Sequence, residues 1–135
     1  MFYGIEVNYL AVFVAAIASM VVGSIVYAGP VLGNKWMELL DKTKEDIQEG
    51  AGKAMGMAFL VSLLQAYVLA HMVSVAGAET LTAGAMTGFW LWLGVVATSH
   101  LTNMFFEGRN KGVVWIFLLN ALLTLLVQGA ILAMW

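Results

Sequence analysis

The chain has no cysteine, a single proline and only six lysine and arginine residues among 135. The first absence excludes a disulfide framework and any thiolate-ligated metal site. The second leaves long stretches without a helix breaker, because Pro30 alone lacks the backbone N–H that an uninterrupted helix needs. Charge is equally scarce: 10% of the residues are charged, where soluble domains carry about 25%. A compact water-soluble domain is thereby excluded, and so is a basic nucleic-acid surface, since the lysines are interleaved with acids.

What is abundant is apolar sequence, 62% of the chain. It gathers into four runs, at about 7–29, 54–76, 83–106 and 113–134, and none of the fourteen charged residues lies inside one. Each run meets the requirement of about 20 residues for a helix crossing ~30 Å of hydrocarbon. The runs lack the alternating order of barrel strands, and lipid obliges every backbone group to bond internally, so the expected fold is all-α: an integral membrane four-helix bundle in a single domain. The first run is too long for a signal-peptide core and has no basic residue before it, which predicts retention in the mature protein.

All six basic residues fall in two windows, 35–53 and 109–111. Threading four spans in order puts segments 33–53 and 107–112 on one side, with both termini and segment 77–82 on the other. The six-to-zero division of Lys and Arg then predicts cytoplasmic charged loops and outside termini. Within the larger loop Trp36, Met37, Leu39, Leu40 and Ile47 oppose Lys35, Asp41, Lys42 and Lys44, which predicts a short amphipathic helix at 34–40 lying on the membrane surface, with Trp36 as its interfacial anchor. Thr43 and Asp46 have the spacing of a helix start, and a new helix is expected from Lys44, bending near Gly50 into the second span.

Small residues recur every four positions at Ala11, Ala15, Ser19 and Gly23, and again from Ala54 through Ala58, Ser62, Ala66 and Ala70 to Ser74. Such stripes let helix backbones approach closely, and Gly84, Gly88 and Gly94 are expected to act likewise on the third span. A four-residue step drifts about 40°, so the six-member stripe cannot keep to one face and the second helix is expected to pack on more than one neighbour. The stripes exceed what one bundle needs, which points to a homo-oligomer.

Polar side chains inside spans are costly and mark either interhelical bonding or a solute path. His71 and His100 differ by about 18 Å in depth at 1.5 Å per residue, so they cannot share a metal or haem. No metal site and no cofactor is implied. His71 has Gln65 and Gln128 at its own depth. Near the loop side Tyr27, Thr98, His100, Asn103 and Asn120 converge by depth into a candidate polar pocket, with Glu107 beside it. Glu107 sits at the negative pole of its helix dipole and needs a partner, for which Arg109 or Lys111 is nearest. Interhelical bonding accounts for most such residues, a ligand or proton pathway being the alternative. The nine methionines form no tight Met-x-x-Met cluster of the kind copper needs.

Two segments carry a wider likeness: Gly23-Ser-Ile-Val-Tyr27-Ala-Gly-Pro30-Val-Leu-Gly33-Asn-Lys-Trp36, and Trp92-Leu-Gly94 through Thr98, Thr102, Asn103 and Phe106-Glu107-Gly108-Arg109. With them the chain resembles the bacterial membrane-protein family called domain of unknown function 1761, over nearly its whole length. Val26 and Leu32 stand where that family often has an aromatic residue and Phe. The resemblance implies no activity, but it groups Tyr27, Pro30, Gly33, Trp36, Asn103, Glu107 and Arg109 into one constellation. Phosphate loops, nucleophile elbows and paired catalytic carboxylates are absent. The functional reading is a small transporter or channel-like homo-oligomer in contact with membrane lipids, its solute unspecified. The alternatives are a partner-binding membrane protein without a solute path, and a membrane enzyme acting on lipid or quinone.

Overall fold

The computed structural model describes residues 4–135, and among these every regular element is helical. The chain runs through α1 (Tyr9–Val26), a π-helical turn (Gly29–Gly33), α2 (Asn34–Leu40), α3 (Lys44–Gln48), α4 (Ala51–Val75), α5 (Leu81–Leu91), a π-helical segment (Trp92–Ala97), α6 (Thr98–Glu107) and α7 (Lys111–Met134). Four stretches are long and apolar enough to cross a membrane: α1, α4, the continuous rod Leu81–Glu107, and α7. The third is the least apolar of them.

Side-chain oxygens start most of these helices. Asn8 Oδ1 accepts from the Ala11 amide, Thr80 Oγ1 from Ala83, and Asn110 Oδ1 from Gly112 and Val113. Each such bond satisfies a donor that the first helical turn leaves without a partner. Thr43 and Asp46 form a reciprocal capping box: Thr43 Oγ1 accepts from the Asp46 amide, and the Asp46 carboxylate accepts from the Thr43 amide at 3.0 Å. The surface helix at 34–40 occupies the residues expected from its amphipathic pattern, and it ends on Asp41 in the left-handed conformation. Gly50, at φ 75°, makes the bend from α3 into α4.

The core lies between α7 and its neighbours. α7 packs most extensively on α5 and next on α1, and α4 packs chiefly on α1 and then on α7. Val12, Ala15, Ala66 and Ala70 form the α1–α4 contact, and Leu69, Val73 and Leu125 a second cluster. Ser19 and Ser62 join hydroxyls across α1 and α4 at 3.1 Å. The tightest contact joins α5 to α7. A Cβ at Gly84 would strike the carbonyl of Gly129, one at Gly88 the carbonyl of Leu125, and one at Gly129 the carbonyl of Gly84. Backbones meet there because nothing stands between them.

In the second span only the middle of the small-residue stripe, Ser62, Ala66 and Ala70, is buried, while Ala54, Ala58 and Ser74 are exposed; a four-residue step rotates about 40°, and the stripe winds off the shared face as its drift requires. Two other expectations need correction. Gly94 has nothing within 4 Å of where a Cβ would stand, so it mediates no helix contact. The third span is not one regular α-helix, since the π segment interrupts it for six residues.

Candidate functional site

Both family-like segments coincide with π-helical backbone. In the first, the turn Gly29–Gly33 closes with the Gly33 amide donating to the Ala28 carbonyl at 2.8 Å. A Cβ on Gly33 would overlap the carbonyls of Tyr27 and Ala28, which restricts the position to glycine. The tight reversal brings Trp36 against Tyr27, edge to face with centroids 5.0 Å apart, a pairing worth about 0.5–1.5 kcal/mol beyond its buried area. This motif therefore folds α2 back beneath the end of α1. On its other side α2 meets the start of α7, where Leu39 lies over Gly112.

In the second segment the Trp92 indole N–H donates to the Leu118 carbonyl of α7 at 2.9 Å, tying the π segment to its neighbour. A π segment shifts the backbone bonding pattern, and hydroxyls fill in where carbonyls are displaced. Thr98 Oγ1 donates to the carbonyls of Gly94 and Val95, Ser99 Oγ to Val95, and Thr102 Oγ1 to Thr98. Gly108, at φ 68°, then ends α6.

The residues expected to converge at the loop side divide between two places. Asn120 lies at the α1–α7 contact, with its Oδ1 3.9 Å from where a Cβ of Gly23 would stand. That oxygen is buried and has no hydrogen-bond partner. His100 is half-buried and packs at a tilt of 50° against Phe117 of α7, centroids 4.4 Å apart. Thr98 and Asn103 are exposed on the outer side of α6, so they do not join His100 in a pocket enclosed by this chain. Tyr27 is engaged with Trp36 at the foot of α1. Arg109 Nε donates to Glu107 Oε2 at 2.9 Å, with both side chains about half exposed, 48% and 54%. An ion pair so exposed is worth about 0–1 kcal/mol, and it answers the unfavourable position of Glu107 by local charge rather than by burial.

Arg109 and His100 nevertheless share a cavity. A space of about 140 Å³ is lined by His100, Arg109, Val113, Val114 and Phe117, and its walls are almost entirely apolar. At the opposite end of the bundle a second space, also about 140 Å³, is lined by Glu6, Asn8, Ser74 and Trp135 with Val7, Ala11, Ala70 and Leu132. In the same half of the bundle two polar residues have 0% exposure, His71 and Gln128. His71 Nδ1 pairs with the Tyr67 carbonyl at 2.9 Å, and Gln128 Nε2 donates to the Ala15 carbonyl at 3.1 Å. Gln128 Oε1 is buried without a partner.

Sequence reasoning missed Gly129, the lone glycine that receives Gly84. The available signal was the pair Gly84 and Gly88, four residues apart on one helix, which demands a small residue at the matching depth of an antiparallel neighbour. Among the described residues no group of three or more His, Asp or Glu side chains is placed to hold a metal ion.

A family model described as Protein of unknown function (DUF1761) matches residues 10–133. No curated protein and no solved structure matches the chain.

Proposed function

The chain belongs to that family of unknown function, and from this premise we propose that it is a small multi-pass protein of a bacterial inner membrane that assembles as a homo-oligomer and passes a small solute or ion along its subunit interface. The observation that carries this reading is the uncovered face of α6. Thr98, Ser99, Thr102 and Asn103 are all exposed, within a span that has lipid or another subunit as its surroundings. Polar side chains at such depth are costly toward lipid and characteristic of interfaces and pathways. The loop-side part of α4 is uncovered as well, with Ala54, Gly56 and Ala58 exposed and small enough for close approach by another helix. Each of the two cavities described above is confined to one end of the bundle, which favours a path between copies over one within a single chain. The six-to-zero distribution of Lys and Arg orients the charged loops to the cytoplasm.

The test is reconstitution into liposomes with stopped-flow light scattering for a panel of small solutes and ions, beside light scattering of the purified protein. Expected is an assembly larger than one chain, with a permeability that Asn103→Leu and Thr98→Leu reduce. A monomer in several mild detergents, or vesicles no leakier than empty ones across the panel, would sink the reading. One observation favours a partner-binding protein without a solute path: Thr98, Ser99 and Thr102 spend their hydroxyl protons on their own helix. An oligomer with impermeable vesicles would decide for it.

A further inference from the structure

We infer that the groove between α6 and the start of α7 binds an anionic phospholipid, with its phosphate on Arg109 and its first acyl carbons along Phe117. The groove has two unlike ends. Arg109 stands at the membrane surface, just past the end of α6, and His100 lies seven residues before Glu107, roughly 10 Å deeper at the helical rise. Between them the lining is Val113, Val114 and Phe117, and the His100 ring, tilted against Phe117, forms the deep wall. A cation at the surface and an apolar slot beneath it match the order of groups in a phospholipid entering from the same side.

Charge selects the kind of lipid. The junction from Glu107 to Lys111 carries two cations and one acid, leaving a net positive mouth toward the headgroups. Glu107 engages Arg109 through Nε and is its only side-chain partner among the described residues. A guanidinium offers five N–H donors in a planar fork suited to phosphate oxygens, so Glu107 orients the fork and a lipid phosphate uses the remainder. A neutral lipid gains little from this mouth, and a free anion gains nothing from the apolar slot. The groove faces α7, away from the exposed polar side of α6, so the site requires neither a solute path nor an oligomer.

The experiment is native mass spectrometry of the whole chain in a neutral detergent, titrated with phosphatidylglycerol and phosphatidylcholine of the same acyl chains. Expected is one tightly retained phosphatidylglycerol per chain. Arg109→Gln should weaken it about fivefold, the factor to which about 1 kcal/mol per basic side chain at an anionic surface corresponds. Val113→Trp, which fills the slot and keeps the charge, should weaken it too, whereas Lys44→Gln on the other loop should not. Equal retention of both lipids, an equal loss from Lys44→Gln, or no loss from Arg109→Gln overturns the assignment. Displacement by inorganic phosphate at matched concentration also overturns it, in favour of a plain anion site.

Discussion

Two pairs of glycines, each four residues apart on a spanning helix, have opposite surroundings. Gly84 and Gly88 bring α5 against α7 until backbone touches backbone, whereas Gly52 and Gly56 of α4 have nothing within 4 Å of a Cβ position. The pairs mark the two ends of the bundle. At the end bearing the termini, helices are clamped and polar groups such as His71 and Gln128 are wholly enclosed. At the end bearing the charged loops, α4 stands free of its neighbours, and α6 is held to α7 by a narrow stripe of Ala97 and Met104 on Val114 and Leu118. The same spacing is thus a finished contact in one place and an open surface in the other. The solute path, partner and lipid site proposed above all use the open end.

The sharpest way to break this contrast is to fill both pairs. Gly88→Leu forces a side chain into the Leu125 carbonyl, and overpacking of that kind costs about 1–3 kcal/mol or more, here at the most extensive contact in the fold. A large fall in melting temperature in detergent is expected. Gly56→Leu puts its Cβ where no atom outside its own turn lies within 4 Å and replaces a poor helix former by a good one, a gain of up to about 1 kcal/mol. Its stability should hold or rise, while any assembly that uses this face should dissociate in light scattering. Equal losses from the two variants would erase the distinction between the ends.

Next in size is Gln128→Met, a swap of similar shape in the closed end. It removes one interhelical bond, worth about 0.6–1.7 kcal/mol, together with a buried oxygen whose lack of a partner costs about 1–3 kcal/mol. The melting temperature should stay level or rise. A clear fall would mean that Oε1 is satisfied in the folded protein, for instance by an ordered water. At the boundary between the ends, Trp92→Phe deletes the bond to the Leu118 carbonyl and should cost about 0.6–1.7 kcal/mol, read as a modest fall in melting temperature.

The smallest effect lies in the loop. Hydrogen bonds from Thr43, backbone first and side chain second, hold the Asp46 carboxyl below its ordinary value of 3.8, with the nearby Lys42 adding to the effect. A depressed carboxyl contributes stability that is fully present above its unfolded value and is lost as pH falls through the folded one. Protection of the Ile47 amide, the slowing of its exchange relative to an unstructured peptide at the same pH, should therefore fall below about pH 4 in the native chain, and Asp46→Asn should remove that acid dependence. Protection at Ile47 that does not change with pH in the native chain would show that the capping box does not hold α3.

Much of the fold was legible because its causes are local or set by the bilayer. The spans follow from apolar length, the helix at 34–40 from its amphipathic pattern, and the start of α3 from the Thr43–Asp46 spacing, which is a bond between neighbours in sequence. The candidate site was legible only in part. Depth along a helix can be counted from sequence, and Thr98, His100, Asn103 and Asn120 fall in the loop-side halves of their helical stretches. Their direction around the helix axis could not be counted, because the π segment at Trp92–Ala97 resets the rotation of α6 relative to α5. The family-like motifs gain a physical meaning once this backbone is seen. Gly33 is required by the crowded carbonyls of its turn, and Thr98 and Ser99 serve the carbonyls beside theirs.

The sequence by itself determined that this chain has four helices long and apolar enough to span a membrane, and where those helices begin and end to within a few residues, because apolar length and backbone hydrogen bonding act on each segment separately. Only the tertiary structure decided which faces meet: that Gly129 receives Gly84, that Gln128 reaches Ala15, that His100 lies on Phe117, and that the loop-side half of α4 is uncovered. Those choices rest on the summed close packing of distant residues in a medium where no hydrophobic effect ranks one apolar face above another.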